Sequence, residues 1–387
     1  MIENQRVAHV TTVHHPLDPR IYLKEVATLR QASIETWLIA REASGSERID
    51  QFLGLSDGKG PFNRLRRHAQ SYRHLRKLKP AIVHIHDPEL IPVSYLGRRT
   101  IGCKVIYDMH ENYTGRKKRG GRILRMLESW CFRWVDHVVL AESSYESILK
   151  GRSTPSTAIL NYILPPTTAP EKDGDTRFTL IYTGTISNCR GLGHMLDLAG
   201  EIKRAGLPWR IKIVGVSHLP AERMEAERRI REEELGSVLE RVGWDTYVPW
   251  GTLVEHYAHA DVGLALFEPL PNHTGSVLSK FYEYIYFSIP VVCSDFSLWR
   301  AFFEANGCGM TVRPNDAGRV LALINGLVDG EGYERLAVAT RSARDRYLWS
   351  AMEPRLTGLY RDLFDPTLER PATEFSAVSQ ATSNSME

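Results

Sequence analysis

The sequence is poor in cysteine and contains no long apolar run. Its five cysteines are scattered over 387 residues without a C-x-x-C pair. This pattern argues against a disulfide framework or a structural zinc site and favours a reducing compartment. No segment approaches the roughly 20 apolar residues that a membrane-spanning helix needs. The N-terminus carries Glu3 and Arg6 before a β-rich run and lacks the pattern of a signal peptide. We therefore expect a cytoplasmic protein.

A strong overall charge is also lacking, because the net charge is only +3. The two parts of the chain nevertheless differ in net charge. Residues 1–160 contain 26 Lys and Arg against 16 Asp and Glu, whereas the remainder contains 23 against 30. Much of the basic excess lies in two segments without acidic residues. One begins at Arg64 and ends at Lys79, and the other begins at Arg116 and ends at Arg125.

Both basic segments are predicted to belong to helices, since apolar residues recur within or after them at intervals of three and four. Such helices can bind an anionic membrane surface, and we interpret them as a candidate site for peripheral attachment to the inner face of the cell membrane. A solvated basic face is the alternative. Nucleic acid binding is not expected, because no helix-turn-helix, RNP or zinc-finger pattern accompanies the charge.

Short β-rich runs alternate with helical stretches twice along the chain, which predicts two parallel sheets covered by helices. A polar, Pro-rich segment around residues 164–174 separates the two series. We predict a first domain at residues 1–165 and a second at residues 166–345, with ligands at the carboxyl ends of the strands. The Ser- and Thr-rich residues 365–387 are predicted to be disordered. The predicted strands include residues 7–13, 36–40, 81–85, 104–107, 179–183, 210–214, 261–267 and 291–293, and the predicted helices include residues 21–31, 192–205 and 277–287.

The segment GSVLSKFYE, residues 275–283, begins the last of these helices. Ser276 or Ser279 is expected to cap its start, and Pro290 cannot continue it. Lys280 and Glu283 are then neighbours on one face of the first turns. Because a helix start concentrates unpaired N–H groups and partial positive charge, this position suits an anion. A surface ion pair is the alternative.

A glycine-containing loop follows the first strand of the second series. Glycines at positions 184, 191 and 193 would let the backbone approach a phosphate, and Arg190 would add positive charge. The spacing is neither G-x-G-x-x-G nor a P-loop, so a simple tight turn is the alternative.

Polar, histidine-containing segments follow strands of the first series. His84 and His86 share one face of a strand, and His110 ends the next strand. The loop after the first strand is also rich in polar residues. The histidine spacing matches no zinc signature, so we favour histidines that bind polar groups over a metal site. Buried structural histidines are the alternative.

Six segments, taken in order, resemble glycosyltransferase family 4. They are VAHVTTVHHPLDPRIYLKE, IVHIHDPELIP, KVIYDMHENY, IYTGTISNCRG, HADVGLALFEP and KFYEYIYFSIPVVCSD. The resemblance implies an α/β fold of two Rossmann-like domains (GT-B) that face each other across an interdomain cleft. It also implies retention of anomeric configuration, no metal ion and no cofactor apart from the nucleotide-sugar substrate.

The same resemblance implies roles for individual residues. Arg190 and Gly191 match the positions that grip the donor diphosphate, Glu283 matches the glutamate that binds the ribose, and His110 matches a histidine that faces the transferred sugar. Tyr347-Leu-Trp-Ser350 resembles the start of a closing helix, residues 346–364, that packs back on the first domain. The donor-binding candidates are Gly184, Thr185, Arg190, Gly191, Ser279, Lys280 and Glu283. The catalytic candidates are His110, Arg190 and Lys280, and the acceptor-side candidates are His15, Asp18, Arg20, His86, Asp87 and Glu111.

Two positions depart from the family pattern. Gly275 stands where the family usually has a glutamate, and Thr185 stands where it usually has an arginine. We interpret Lys280 as the replacement for the missing positive charge.

The sequence thus predicts transfer of a sugar from a UDP- or GDP-sugar to a hydroxyl group. A lipid-linked glycan is the favoured acceptor, in polysaccharide or glycolipid assembly. The alternatives are a nucleotide-sugar 2-epimerase and a catalytically degenerate binding protein.

Overall fold

The computed structural model describes residues 6–110, 119–167, 177–365 and 367. The chain forms two compact units: unit 1 comprises Met1–Asn161 and Trp349–Glu387, and unit 2 comprises Tyr162–Leu348. Glu111, most of the predicted linker at residues 164–174 and nearly all of the predicted tail at residues 365–387 lie outside the described residues.

Unit 1 contains a sheet of seven strands among its described residues, in the order β3-β2-β1-β4-β5-β6-β7, and every strand pair is parallel. Strand order reverses between β1 and β4, the position at which doubly wound sheets bind ligands. The central strands are buried on both faces, as a parallel sheet between helices requires. The strands are β1 (Val7–Val10), β2 (Thr36–Arg41), β3 (Phe52–Leu55), β4 (Ile82–Ile85), β5 (Lys104–Met109), β6 (His137–Leu140) and β7 (Ser156–Ala158).

The helices of unit 1 connect these strands. Helix α1 begins with π-helical turns, Pro19–Val26, and continues as Ala27–Gln31; Asp18 caps its start by accepting hydrogen bonds from the N–H groups of Arg20 and Ile21. The others are α2 (Pro61–Leu78), α3 (Ile91–Ile101), α4 (Arg119–Cys131) and α5 (Glu146–Leu149).

Unit 2 repeats the architecture with six parallel strands in the order β10-β9-β8-β11-β12-β13. The strand order of this sheet also reverses, here between β8 and β11. The strands are β8 (Thr179–Thr183), β9 (Arg210–Val216), β10 (Leu239–Trp244), β11 (Val262–Ala265), β12 (Val291–Ser294) and β13 (Gly309–Val312). The helices are α6 (Leu192–Arg204), α7 (Pro220–Glu232), α8 (Trp250–Ala258), α9 (Pro271–Thr274), α10 (Ser279–Tyr286), α11 (Ser297–Asn306), α12 (Ala317–Val328) and α13 (Gly332–Ala343).

The last helix, α14 (Glu353–Phe364), belongs to unit 1 although it follows unit 2 in the sequence. Its buried face contributes Leu356, Leu359 and Tyr360. Just before it, Trp349 is buried and its indole Nε1 donates a hydrogen bond to Thr28 Oγ1 of α1. Unit 1 is therefore completed by a segment from the far end of the chain.

Two local predictions were wrong. Strand β1 ends at Val10 rather than at residue 13, because Thr11 and Thr12 turn to bind the Asp87 carboxylate. Helix α10 begins at Ser279 without a side-chain cap, and Ser276 Oγ instead donates to the Asn272 carbonyl oxygen. Among the helices of the described residues, none has the length and apolar character that a membrane crossing would require.

Candidate functional site

The edge of unit 2 at the carboxyl end of β8 is built from closely approaching backbones. Gly184 follows β8. A β-carbon placed on Gly215 would lie 1.8 Å from the carbonyl oxygen of Gly184. A β-carbon on Gly191 would lie 2.0 Å from the Leu266 carbonyl oxygen. Gly191 has φ +88° and Gly215 has φ +148°, conformations that favour glycine. The glycines thus leave backbone, rather than side chains, at the switch point of the sheet.

Lys280 lies beneath this edge and is only 7% exposed. Its Nζ donates a hydrogen bond of 2.6 Å to the Thr183 carbonyl oxygen and lies 3.8 Å from the centre of the Tyr182 ring. Burial, assisted by the charge of Arg190, lowers the pKa of Lys280 well below its ordinary value, and Glu283 opposes this shift. A buried ammonium of this kind is stabilised by an anion that comes close to it.

Glu283, on the next turn of α10, is held by a tyrosine. Tyr257 of α8 donates a short hydrogen bond to Glu283 Oε2, and its hydroxyl lies 2.9 Å from Thr183 Oγ1. Tyr257 is fully buried, so the carboxylate is oriented by a rigid neighbour. Lys280 and Glu283 therefore both connect to Thr183, at the end of β8. Sequence reasoning missed Tyr257, because it lies 26 residues from its partner.

The remaining donor-site candidates surround the same edge. Arg190 is half-buried and ends the turn Asn188–Arg190, and its positive charge opposes the rise that burial causes in the pKa of Tyr182. The Tyr182 hydroxyl in turn donates to the Thr185 carbonyl oxygen at 2.6 Å. Ser279 is exposed as the first residue of α10.

A second polar site lies in unit 1, at the ends of β4 and β5. Asp108 is fully buried, and both of its carboxylate oxygens accept hydrogen bonds from the Arg20 guanidinium at 3.0 and 3.1 Å. His110 Nε2 lies 2.8 Å from Asp108 Oδ2 and 3.1 Å from His86 Nδ1. Burial alone would raise the pKa of Asp108, but Arg20 and His110 together hold it well below its ordinary value. Of these four residues His110 is the most exposed, at 14% of its side chain.

Asp87 organises the neighbouring loop. Its Oδ1 lies 3.1 Å from His14 Nδ1, and its Oδ2 accepts hydrogen bonds from the Thr11 hydroxyl and the Thr12 N–H. Burial opposes ionisation, yet His14 and these donors lower the pKa of Asp87 to about 2. Burial also opposes protonation of His14, but Asp87 outweighs it and raises the pKa of His14 above its ordinary value.

The acceptor-side candidates thus occupy different environments. Arg20, His86 and Asp87 are buried within hydrogen-bond networks, while His15 is exposed. Asp18 caps helix α1. Two further buried residues of this region, His9 and Glu25, were not predicted. His84, which the sequence places on one face with His86, is also buried, and the parallel pairing of β1 with β4 brings His9 opposite it.

The model of Glycosyltransferase Family 4 matches residues 21–149, and the model of Glycosyl transferases group 1 matches residues 168–346. No curated protein matches the sequence.

Solved structures share the fold at low identity. The sucrose-phosphate synthase of Thermosynechococcus elongatus superposes with a TM-score of 0.76 at 16% identity, covering 94% of this chain and 100% of that chain. HepE of Anabaena, solved in complex with UDP-glucose, superposes with a TM-score of 0.72 at 11% identity and coverages of 92% and 99%. A putative UDP-N-acetylglucosamine 2-epimerase of Listeria monocytogenes gives 0.64 at 12% identity, with coverages of 94% and 98%.

The two parallel sheets and their glycine-bordered edge define the class of protein: a GT-B enzyme with two Rossmann-like domains, as predicted. The chain belongs to glycosyltransferase family 4, and the predicted resemblance is confirmed. It is therefore a glycosyltransferase.

Proposed function

We propose that this glycosyltransferase binds the nucleotide part of a UDP- or GDP-sugar in unit 2 and transfers the sugar, with retention, to a hydroxyl acceptor bound by unit 1. One observation carries the donor part: beside Gly184, at the strand-order reversal of unit 2, Lys280 bonds Thr183 directly and Glu283 is linked to Thr183 through the Tyr257 hydroxyl. The UDP ligand of the structurally similar HepE makes UDP the first nucleotide to test.

In this proposal the donor diphosphate lies against Gly184. Its negative charge is stabilised by the positive charges of Arg190 and Lys280 and by the N–H groups at the start of α10. These groups would stabilise the negative charge that develops on the leaving diphosphate, which is the main electrostatic demand of glycosyl transfer. Burial lowers the pKa of Lys280, and a bound diphosphate would favour its ammonium form. Glu283, oriented by Tyr257, would accept hydrogen bonds from the ribose hydroxyls.

Retention requires no protein nucleophile in the proposed path: the leaving phosphate would accept the proton of the acceptor hydroxyl on the same face. His110, held by Asp108, would contact the transferred sugar. Cationic side chains would take the place of a divalent ion at the diphosphate, so we expect added Mg²⁺ or Mn²⁺ to leave nucleotide affinity unchanged. The anomeric coupling constant in the proton NMR spectrum of the product would test retention, and a product of inverted configuration would contradict it.

The acceptor is proposed to be a lipid-linked glycan that unit 1 meets at an anionic membrane surface, in polysaccharide or glycolipid assembly. Support comes from the basic excess of residues 1–160 and from the exposed apolar residues of α2, Phe62 and Leu65.

Calorimetric titration with UDP, GDP, ADP and TDP tests the donor site. We expect one nucleotide to bind and Lys280→Met and Glu283→Gln each to weaken it by about 10- to 100-fold, because each loses a charged hydrogen bond worth roughly 1.5–3 kcal/mol. Lys203→Met is the control, since Lys203 pairs with Glu234 at the surface of unit 2. If the folded protein binds none of the four nucleotides, the proposal is wrong and a non-catalytic binding protein is favoured.

A further inference from the structure

Three imidazoles and one carboxylate converge in the interior of unit 1, outside the proposed donor site. His9 lies on β1, His84 and His86 lie on and just after β4, and Glu25 lies on α1; all four are at most 2% exposed. One potential ligand atom from each lies within 4.8 Å of the others. The strand register explains the convergence, because His9 pairs with His84 and His86 follows two residues later on the same face.

Three of the atoms that face the centre of this cluster have no hydrogen-bond partner, whereas His9 Nδ1 and His86 Nε2 lie within hydrogen-bonding distance of each other. Neither oxygen of Glu25 makes a hydrogen bond, although Arg20 Nε lies 3.2 Å from Oε1. His84 Nε2 also has no partner. Glu25 Oε2 is 3.8 Å from His9 Nδ1, too far for a hydrogen bond. A buried carboxylate without hydrogen bonds is costly, and a bound cation would relieve this cost.

The outer nitrogen of each imidazole has a partner outside the four-residue cluster. His9 Nε2 and His84 Nδ1 lie 3.1 and 2.6 Å from the Tyr360 hydroxyl. His86 Nδ1 lies 3.3 Å from Asp108 Oδ2. If these outer nitrogens carry the protons, the inner nitrogens present lone pairs to the centre. Metal-binding histidines show this arrangement, in which an outer hydrogen bond fixes the tautomer.

The inner nitrogens of His9 and His86 lie 3.0 Å apart. Two lone pairs at this distance repel each other unless a proton or a cation lies between them. Arg20 balances only part of the negative charge here, because its guanidinium is shared between Glu25 and Asp108. The cluster therefore offers the imidazole lone pairs and the carboxylate that a cation would need.

We propose that His9, His84, His86 and Glu25 bind one divalent transition-metal ion, zinc in the first instance, inside unit 1. Three imidazoles and a carboxylate form a tetrahedral donor set for zinc, whose bond lengths of about 2.0–2.2 Å separate neighbouring ligand atoms by about 3.3 Å. Two separations in the cluster lie on either side of this value: His9 Nδ1 is 3.0 Å from His86 Nε2 and 3.8 Å from Glu25 Oε2.

Four protein ligands leave no open position, so the ion is structural and takes no part in binding the diphosphate. It connects β1, β4 and α1, and through Tyr360 it also holds α14. Its presence is independent of the donor-site proposal, since all of its ligands belong to unit 1.

The first experiment measures metal content and stability of the full-length protein. The chain is stripped with a chelator, dialysed against zinc or cobalt, and analysed by mass spectrometry for bound metal. We expect one ion per chain, a higher melting temperature with either ion, and the visible absorption of tetrahedral cobalt. A folded chain that retains no zinc or cobalt and shows no thermal shift overturns the proposal, and a protonated Glu25 then accounts for the cluster.

Variants locate the ion. Glu25→Gln keeps the side-chain volume but removes the charged ligand, and we expect zinc affinity to fall by at least about 100-fold; Tyr360→Phe removes only the outer hydrogen bonds and should weaken it by about 10- to 100-fold. The control His218→Gln, at an exposed histidine of unit 2, should bind zinc as the wild type does.

His110→Gln distinguishes the proposed set from a neighbouring group, His86, Asp108 and His110, whose ligand atoms also converge. We expect this variant to retain the ion. Loss of the ion in His110→Gln together with its retention in Glu25→Gln would contradict the proposal. Nucleotide titration of the same samples shows separately whether the donor site functions.

Discussion

At the scale of single residues, burial determines what an ionisable group can do. Lys280 is predicted from the sequence to lie on a helix face with Glu283, and it does lie on α10, yet its ammonium is buried against Thr183 and Tyr182. A surface ion pair, the simpler interpretation of the sequence, is excluded by this burial. Helical spacing specifies the face on which a residue lies but does not reveal how deeply that face is buried.

Glu128 provides a test of burial at this scale. It lies on α4, is 2% exposed and accepts a hydrogen bond of 2.6 Å from the Tyr107 hydroxyl. Burial raises the pKa of Glu128 from 4.5 to about 7, although Tyr107 opposes the shift. Because the folded pKa exceeds the unfolded one, the stabilising contribution is complete below pH 4.5 and is lost as the pH rises through 7.

We therefore expect the free energy of unfolding of the wild type to fall by about 3 kcal/mol, relative to Glu128→Gln, between pH 4.5 and pH 8. The glutamine has no proton to lose, so the difference between the two proteins isolates this one group. Guanidinium denaturation at intervals of pH measures it. Parallel pH profiles of the two proteins would show that Glu128 has an ordinary pKa.

At the scale of secondary-structure elements, the glycine-containing loop after β8 depends on two different kinds of glycine. Gly191 has φ +88°, and its α-carbon faces the Leu266 carbonyl oxygen, where a β-carbon would lie 2.0 Å away. Gly193, two residues later in α6, has open space around it. The sequence predicts the loop but cannot distinguish these two roles, because the close contact comes from Leu266, which follows β11 and is distant in the sequence.

Alanine at each position tests this distinction. Gly191→Ala is expected to lower the free energy of unfolding by more than about 2 kcal/mol and to abolish nucleotide binding, because a backbone oxygen cannot move aside as a flexible side chain can. Gly193→Ala, the matched control, should change stability by less than about 1 kcal/mol. Denaturation and calorimetry of both variants measure the effects. Equal behaviour of the two would contradict the close packing of Gly191 against Leu266.

Helix α2 also differs from its predicted packing. The apolar residues predicted to form one stripe are divided: Leu75 and Leu78 are buried, whereas Leu65 is 68% exposed and lies near Phe62, which is 78% exposed. Arg67 is buried on the inner face, where it donates to the Gly58 carbonyl oxygen. The outer face of the N-terminal half of α2 thus combines apolar residues with basic neighbours, a composition typical of helices at a membrane interface.

At the scale of the whole molecule, this outer face predicts binding to anionic membranes. The wild type should sediment with phosphatidylcholine vesicles that contain phosphatidylglycerol, and Phe62→Ser with Leu65→Ser should reduce the bound fraction. Each basic residue near the surface contributes about 1 kcal/mol, so Arg73→Gln should weaken binding roughly fivefold. Higher salt should weaken it further.

The control for the vesicle experiment is Met224→Ser, which removes an equally exposed apolar side chain from unit 2. It should bind vesicles as the wild type does. If the wild type fails to bind anionic vesicles, or binds neutral ones equally well, the basic segments are only a solvated surface and the acceptor need not be at a membrane.

The sequence by itself determined the fold class, the two series of parallel strands and the family. These properties follow from local alternation of strands and helices and from motifs that are short in sequence, so each can be read without knowing its neighbours in space. The sequence also predicted which residues stand at strand ends, among them Gly184, His86 and His110.

Only the tertiary structure decided which residues those side chains contact. The reversal of strand order brings His9 opposite His84, and the return of the chain as α14 places Tyr360 against both. Tyr257 reaches Glu283 in the same way, from another helix. Such contacts join residues far apart in the chain, and their formation depends on topology and packing, for which local periodicity carries no signal.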